Sequence, residues 1–374
     1  MPRRVALVAT TIGTGEFIAR YAQQAAAEDL TDEVVCVVVT DRKTPPEIRV
    51  QVERAQQTGL RVVCPSLPEQ DAYLRRLGEI ARIIPYDSDN RRNVGFLLAL
   101  EQQCDLIISI DDDNLPRPGE RFFGEHMVVG EEVTLRSVRS GSGWFNVCRL
   151  LETEPAGIYP RGFPYRHRHA EAELSGGFER GSVHVNAGLW LRDPDVDAVT
   201  HLAVAPQVRA FRGESVLLGP DTWSPINTQN TAIVAAAVPA FYFVRMGAPI
   251  LGVPMDRDGD IFTGYFLQAC ARHLGARVRV GTPVTDHVRN AHHPLRDLTQ
   301  ELACIWMLEE LADWLKEVPL EGSGYAECYL SLASRLEDAV EQFSGFIWTD
   351  PARAYFHFLA YCMRTWVKTV ALLT

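Results

Sequence analysis

The sequence lacks the signatures of several large enzyme classes. None of the GxSxG, Walker A or HExxH motifs occurs in its 374 residues, which argues against α/β-hydrolases, P-loop nucleotide hydrolases and zinc peptidases. The eight cysteines form no CxxC pair and have no regular spacing, which argues against a zinc ribbon and against a disulfide framework. We therefore expect reduced thiols and a cytoplasmic location.

Basic charge and long apolar runs are also scarce. The formal net charge is −11, so there is no basic field to attract a nucleic acid or an anionic membrane surface. The longest apolar stretch, residues 233–244, contains Pro239 and is too short to span a bilayer. The N-terminus begins like a signal peptide, but Thr10, Thr11 and Gly13 follow at once without a cleavage site. We expect a first strand there, no membrane span and no nucleic-acid partner.

The first 115 residues alternate between strand-like and helix-like segments. The predicted strands are 5–9, 33–40, 61–64 and 105–110, and the predicted helices are 16–28, 45–59, 69–82 and 93–103. This alternation predicts the α/β class, with a mostly parallel sheet flanked by helices. In such sheets, ligands bind beyond the carboxyl ends of the strands.

The rest of the chain is less regular until its last part. We predict a strand at 183–191, a helix at 261–273 and a strand at 276–280. A turn is predicted to follow at 281–285. Residues 298–374 are strongly helical, and their apolar and aromatic positions form either a core or the face of a homo-oligomer. We therefore predict a catalytic domain over 1–297 and a helical C-terminal extension over 298–374.

Three consecutive aspartates, Asp111, Asp112 and Asp113, follow the apolar strand 105–110. Two carboxylates separated by one residue point the same way, as a hard divalent cation such as Mn²⁺ or Mg²⁺ requires. A cation there would offset the charge of a bound diphosphate. The alternative is an acidic turn that solvates the end of the strand. The apolar strand on one side and Asn114-Leu115-Pro116 on the other favour a metal site.

Just upstream, the segment from Asp87 to Asn93 (DSDNRRN) precedes a predicted helix. It offers capping groups and the two guanidinium groups of Arg91 and Arg92, which suit a phosphate or a nucleotide. A well-capped helix with surface arginines is the alternative. Residues 13–18 form a weak GxGxxI pattern and Asp41 ends the next strand, but an NAD-binding site would leave the triple aspartate unexplained.

Several stretches, in this order, resemble the reversibly glycosylated polypeptide / UDP-arabinopyranose mutase family: DSDNRRNVGFLLAL, IISIDDDN, RGFPY, VNAGLWLRDPDVDAVTHL and DGDIFTGYFLQACARHLGARVRVGTPVTDH. The resemblance runs from about Val5 to about residue 335. It implies a GT-A-like fold and a flavin-independent enzyme that interconverts pyranose and furanose forms of a UDP- or GDP-linked sugar with Mn²⁺ or Mg²⁺. No flavin and no NAD are expected.

The resemblance also assigns roles to residues. Asp111 and Asp113 match the metal-binding triplet, and His287, after the late strand, matches a third metal ligand. Arg161, Asp260 and Asp112 are the expected catalytic residues, although Gly259 stands where the family has a first acid before Asp260. Expected contacts with the nucleotide or sugar come from Thr10, Thr11, Asp41, Asp87, Arg91, Arg92, Asn186, Gly188 and Asn230.

One departure concerns the covalent chemistry of the family. In plant members a second arginine, a few residues before the RGYPF-like segment, carries the reversible glycosylation. Here the corresponding position is near Glu154, and no arginine lies between Leu150 and Pro160. A glycosyltransferase that passes the sugar to a separate acceptor would use the same donor site, so it remains the alternative function, and a non-catalytic scaffold is the third.

Overall fold

The computed structural model describes residues 3–169, 174–290 and 292–374. Its first part alternates strands and helices as predicted: β1 (Val5–Thr11), α1 (Glu16–Ala27), β2 (Val34–Thr40), α2 (Ile48–Gln57), β3 (Arg61–Val63), α3 (Leu67–Arg76), α4 (Ile80–Ile83), α5 (Arg92–Glu101) and β4 (Leu106–Ile110). The helix predicted at 69–82 is in fact two helices, because Gly78 adopts a left-handed φ of 88° between them.

The middle of the chain contains β5 (Asn114–Leu115), α6 (Phe122–His126), β6 (Glu132–Ser140), β7 (Leu151–Glu154), β8 (Leu174–Ser175), β9 (Phe178–Arg192), α7 (Ala198–Ala203), β10 (Gln207–Phe211), β11 (Val216–Leu218) and β12 (Asn230–Val234). The last part contains β13 (Pro249–Ile250), β14 (Val253–Pro254), α8 (Gly259–His273), β15 (Arg277–His287), α9 (Pro294–Glu317), α10 (Tyr325–Val340) and α11 (Asp350–Val370). Among the described residues, no helix combines the length and apolar composition needed to cross a membrane.

One large mixed sheet organises the molecule, in the order β3-β2-β1-β4-β12-β9-β15-β11-β6-β8. Strands β3, β2, β1 and β4 are parallel, as the apolar and largely buried sequences of β1, β2 and β4 predict. Strand β12 is antiparallel to both β4 and β9, and β15 is parallel to β9. The predicted α/β class with a mostly parallel central sheet is confirmed, and antiparallel strands extend it.

This strand order explains which residues meet. Two antiparallel steps, from β4 to β12 and from β12 to β9, restore the direction of β4, so β9 and β15 end at the same edge as β1, β2 and β4. Residues that follow five strands of the sheet therefore share one edge, although the ends of β1 (Thr11) and β15 (His287) are 276 positions apart in sequence. The site lies at that edge, as expected of α/β sheets.

The turn predicted at 281–285 is wrong. Strand β15 continues through it to His287, and its pairing with β9 moves from Gly281 opposite Gly188 to Thr285 opposite Trp190. Four residues of β15 therefore span two residues of β9, which is a bulge rather than a turn. The sequence Gly-Thr-Pro suggests a turn, but the flanking pairing keeps the strand intact.

The C-terminal helices share the hydrophobic core of the sheet. Trp366 of α11 is fully buried, and its indole N–H donates to the carbonyl of Val238 at 2.8 Å. The predicted division at residue 297 lies inside α9 (Pro294–Glu317) and stays a prediction. Of the aromatic positions in this region, Trp348, Phe356 and Trp366 are core, whereas Trp306 is 43% exposed.

Candidate active site at the strand ends

The three carboxylates of the acidic triplet Asp111–Asp113 have three different partners. Arg92, the first residue of α5, donates from Nη2 to Oδ1 of Asp111 at 2.5 Å. Thr11, at the end of β1, donates from Oγ1 to Oδ2 of Asp112 at 2.5 Å. Burial raises the pKa of Asp112 to about 6, although the Thr11 hydroxyl opposes this shift. Arg92 is thus a structural partner of the triplet rather than an open phosphate site.

Asp113 faces His287 across the sheet edge. Its Oδ2 lies 3.5 Å from Nε2 of His287, and Nδ1 of the same ring lies 2.6 Å from the carbonyl oxygen of Asp193. That carbonyl can only accept, so Nδ1 carries a proton and Nε2 is the ring nitrogen that faces Asp113. Burial would lower the pKa of His287, but Asp113 raises it, and a cation would take the place of the Nε2 proton. One carboxylate oxygen and one imidazole nitrogen are a donor set that Mn²⁺ accepts.

Within the described ranges, no three His, Cys, Asp or Glu side chains lie close enough together to bind a metal ion by themselves. Asp113 and His287 nonetheless fit a cation that takes its remaining ligands from phosphate oxygens and water, as Mg²⁺ does at many nucleotide sites. The side chain of Asp111 is 35% exposed to the cleft beside them.

Arg161 lies at the centre of a second cluster. Its guanidinium donates to Asp195 (Nε to Oδ1, 2.8 Å) and to Asp260 (Nη2 to Oδ2, 2.7 Å), and Asp258 lies 3.5 Å away. Burial alone would lower the pKa of Arg161, but the three carboxylates raise it well above its usual range. Burial would likewise raise the pKa of Asp195, yet Arg161 lowers it to about 2. These groups form a rigid polar surface, and Arg161 is occupied by carboxylates.

The segment before α5 is more structural than predicted. Arg91 is buried, donates to Oε1 of Gln70, and lies 3.9 Å from the ring centroid of Tyr86. Arg42 covers Tyr86 at 4.3 Å. Asp41 accepts hydrogen bonds from the backbone N–H of Asp87 at 2.8 Å, so it tethers this segment to the end of β2. Arg91 is thus a buried structural residue rather than a surface arginine, and Asp41 holds the segment in place.

A cleft of about 1230 Å³ joins these groups. Most of the predicted site residues line it: Thr10, Thr11, Asp41, Asp87, Arg91, Arg92, Asp111, Asp112, Asp113, Arg161, Asp260 and His287. The structure thus brings twelve predicted residues from seven separate segments into one cavity.

Asn186, Gly188 and Asn230 are the exceptions, because the structure places them in the sheet interior and outside the cleft lining. The amides of Asn186 and Asn230 contact the two ring nitrogens of His126 at 3.0 and 2.9 Å. A Cβ on Gly188 would lie 2.3 Å from Nδ2 of Asn230 and 2.4 Å from the carbonyl oxygen of Pro283. We therefore correct their role from ligand contact to support of the bulge in β15.

Sequence reasoning missed other residues that line the cleft. Asp195 lies in the DPDVDA stretch after β9, and its place at a strand end was the signal that could have identified it. Arg257 and Arg289 also line the cleft, but each is a single arginine in a loop and carries no motif. Asp89 is an exposed residue at the mouth of the cleft. The surrounding protein, followed by the charges of Asp256 and Asp260, raises the pKa of Asp89, which is the direction that a proton carrier needs.

The family model for reversibly glycosylated polypeptides matches residues 67–373. This chain belongs to the reversibly glycosylated polypeptide family. UDP-arabinopyranose mutase 1 of Oryza sativa subsp. japonica is 30% identical over 305 residues, which cover 79% of this chain and 74% of the relative. UDP-arabinopyranose mutase 1 of Arabidopsis thaliana is 30% identical over 300 residues, which cover 79% and 76%. The predicted family is confirmed.

Other matches are shorter or more distant. The chain spans about half the length (52%) of the probable UDP-arabinopyranose mutase 2 of Solanum tuberosum, with 30% identity over 215 residues. Among solved structures, glucosyl-3-phosphoglycerate synthase from Mycobacterium tuberculosis has a TM-score of 0.38 and 13% identity, over 86% of this chain and 82% of that chain.

Proposed function

We propose that this member of the family is a metal-dependent, flavin-independent mutase that interconverts the pyranose and furanose forms of a nucleoside-diphosphate sugar. The observation that carries the proposal is the convergence of Asp113, His287, Arg161 and Asp260 on one cleft at the strand ends. The names of the relatives support the class of reaction, and they favour UDP over GDP as the nucleotide. The reduced thiols favour a cytoplasmic location.

Asp113 and His287 would hold the Mn²⁺ or Mg²⁺, with Asp111 beside them. When bound, the cation supplies positive charge that stabilises the diphosphate as a leaving group. The protein's own part is to fix these ligands. The Asp193 carbonyl orients the ring of His287, and Arg92 holds Asp111. Outer contacts of this kind commonly matter for metal affinity.

The ring interconversion needs a defined exchange of bonds at the anomeric carbon. The bond from C1 to the diphosphate oxygen breaks and its electron pair leaves with the diphosphate. The bond from C1 to the ring oxygen also breaks, and C1 forms a bond to a hydroxyl oxygen of the same sugar. One proton moves from that hydroxyl oxygen to the former ring oxygen. The diphosphate then bonds to C1 again. Atoms and charges balance without a redox cofactor.

The Arg161 cluster is suited to orient the sugar during this exchange. Asp260 is held bidentately by Arg161, at 2.7 and 3.1 Å, so its carboxylate has a fixed position in the cleft. A fixed carboxylate can accept hydrogen bonds from sugar hydroxyls and favour one reactive geometry. Asp89, on the cleft wall, is a further group that could carry the proton.

We propose that no arginyl-sugar forms in this chain. Arg161 is a poor nucleophile, because its guanidinium is held by carboxylates and its pKa is raised. Glu154, at the position of the modified arginine of plant members, is exposed on β7 and pairs with Arg209. Incubation with radiolabelled UDP-sugar should leave no label on the denatured protein, and stable labelling would contradict this step.

The test of the proposed function is to incubate the protein with UDP- and GDP-sugars and Mn²⁺ and to follow the ring form by NMR. We expect conversion in both directions, and a loss of about 100-fold or more in Asp113→Ala. Asp105→Ala is the matched control, because Asp105 precedes the same strand at the opposite edge and contacts the N–H of Arg4. Absence of conversion, or full activity of Asp113→Ala, would refute the proposal.

The same experiment separates the alternatives. A glycosyltransferase would release free nucleotide in proportion to an added acceptor, whereas a mutase needs the nucleotide sugar alone. A non-catalytic scaffold would fold normally but would bind no nucleotide sugar in a metal-dependent way, which calorimetry measures.

A further inference from the structure

Recognition of a diphosphate in this cleft needs cationic groups that still have donors to offer. The three arginines expected from the sequence are committed elsewhere: Arg91 to Gln70, Arg92 to the triplet and Arg161 to its carboxylates. Aspartates that would repel a diphosphate also line the cleft, among them Asp89, Asp111, Asp112, Asp113 and Asp256. Other cations line the same cleft, namely Lys43, Arg245, Arg257, Arg289 and Arg296, and these can supply positive charge for the ligand.

Two of these cations, Arg257 and Arg289, lie close together at the cleft because they share a partner, Asp297. Each is anchored by a buried carboxylate at the start of α9. Oδ1 of Asp297 lies 3.6 Å from Nη1 of Arg257, and Oδ2 of the same residue lies 3.6 Å from Nη2 of Arg289. Glu301, 1% exposed, accepts from Nε of Arg257 at 2.9 Å. One acidic pair thus holds two guanidinium groups side by side at the cleft.

Arg289 is also tied to the proposed metal site through the backbone. It lies two residues after His287, and the N–H of the intervening Val288 donates to the carbonyl of Asp113 at 2.9 Å. The N–H of Arg289 itself donates to Asp193, whose carbonyl orients His287. The position of this arginine is therefore fixed relative to the groups that would hold the cation.

Arg257 has an unusual backbone as well. Its φ is 73°, in the left-handed region that residues other than glycine seldom adopt. Its carbonyl accepts a hydrogen bond from Arg161, and its side chain is anchored by Glu301, so contacts on both sides impose this conformation. Strain that is imposed in this way at a cleft commonly has a functional role.

We propose that Arg257 and Arg289 form a clamp for the diphosphate of the nucleotide sugar and retain it while its bond to the sugar is broken. The clamp rests on the proposed function, since it assumes a diphosphate that leaves and returns. Besides Asp297 and Glu301, Arg289 contacts His201 and Arg257 contacts His292, but each guanidinium has five N–H groups and keeps some for a ligand. Planar guanidinium groups match phosphate oxygens. Retention keeps the effective concentration of the leaving group high for the return step.

The direct test uses inorganic pyrophosphate with Mg²⁺, because this probe needs neither the right base nor the right sugar. Calorimetry should show binding to the wild type and a loss of affinity of about 10-fold or more in Arg257→Gln and in Arg289→Gln. Arg335→Gln is the charge-matched control, because Arg335 pairs with Glu321 on the remote α10. No binding by the wild type, or unchanged affinity in both folded clamp variants, overturns the clamp.

Removal of Arg257 leaves Glu301 buried without its cation, which could unfold the protein. The double variant Arg257→Gln/Glu301→Gln keeps the local charge balanced and should fold. It should still bind pyrophosphate weakly, and wild-type affinity in this variant would contradict the clamp.

Turnover provides a second readout. With the nucleotide sugar that the wild type converts, the clamp variants should release a larger fraction as free nucleotide and free sugar. An unchanged fraction in both variants also counts against the clamp. If the wild type converts no sugar but the pyrophosphate affinities fall as expected, the proposed function and the retention step fail, and only the diphosphate-binding role of the two arginines stands.

Discussion

His126 shows how a single buried residue can be defined by its hydrogen bonds. Nδ2 of Asn186 lies 3.0 Å from Nδ1 of the ring, and Oδ1 of Asn230 lies 2.9 Å from Nε2. The amide nitrogen can only donate and the amide oxygen can only accept, so the ring is neutral with its proton on Nε2. Burial lowers the pKa of His126 to about 3, although the Asn230 contact opposes this.

This low pKa predicts a loss of stability in mild acid. The unfolded chain binds a proton at His126 below about 6.5, whereas the folded chain does so only near 3, so unfolding takes up a proton between these values and stability falls as the pH falls. At pH 5 the cost is on the order of 2 kcal/mol. Urea unfolding at pH 7 and pH 5 measures it.

The control for that prediction is His126→Gln, which cannot titrate. It should be less stable than the wild type at pH 7, because it disturbs the two amide contacts. Its decrease in stability between pH 7 and pH 5 should be smaller by about the same 2 kcal/mol. Equal decreases in the two proteins would show that His126 does not cause the pH dependence.

Individual site residues were predictable where a motif or a strand end marked them. The acidic triplet, His287 and Arg161 were identified in this way, and the structure places all of them in the cleft. Arg257 and Arg289 were not predicted, because their role depends on partners at the start of α9. A single sequence shows no such long-range pairing.

Among the elements, α8 is fixed most tightly by its neighbours. Its thirteen residues from Gly259 to Ala271 are all buried, and a Cβ on Gly264 would lie 1.8 Å from the carbonyl oxygen of Ile226. That oxygen belongs to the backbone, so it cannot move aside as a flexible side chain would. The same helix carries Asp260 in its first turn.

Gly264→Ala should therefore destabilise the protein by about 3 kcal/mol or more, because the helix or the loop at Ile226 must shift. Gly124→Ala is the matched helical control. There the added Cβ meets only the end of the Arg121 side chain at 3.0 Å, and the change to alanine favours the helix. Thermal unfolding of both variants measures the difference, and similar melting temperatures would contradict the prediction.

Most helices and strands were predicted from apolar periodicity, within a few residues at their ends. The errors came from glycine and proline, whose meaning depends on context. Gly78 divides a predicted helix, whereas Gly281 and Pro283 occur within a continuous strand. The bulge at Gly281 exists because β9 pairs on both sides of it, and local sequence does not show this.

For the whole molecule, the sheet and the C-terminal helices form one structural unit. The larger hydrophobic cluster contains Val8 of β1, Phe266 of α8 and Trp366 of α11. Because these elements bury one another, separate folding of the predicted parts 1–297 and 298–374 would expose much apolar surface. The α/β class was predictable from the first 115 residues, but this shared core was not.

We therefore expect a single cooperative unfolding transition. Scanning calorimetry should give a calorimetric enthalpy close to the van't Hoff enthalpy, and a chain that ends at residue 293 should not fold. Two resolved transitions, or a folded product of that truncation, would favour separate domains. The expected homo-oligomer is a separate question, which sedimentation would answer.

All eight cysteines are free, seven are buried, and only Cys64 at the end of β3 is partly accessible. Burial also raises the pKa of thiols in different parts of the chain, among them Cys36 on β2 and Cys362 on α11. A thiol reagent added to the native protein should thus mark Cys64 first and reach each other position only when its surroundings open. The order of modification, measured by mass spectrometry, therefore reports the order in which different parts of the fold open locally.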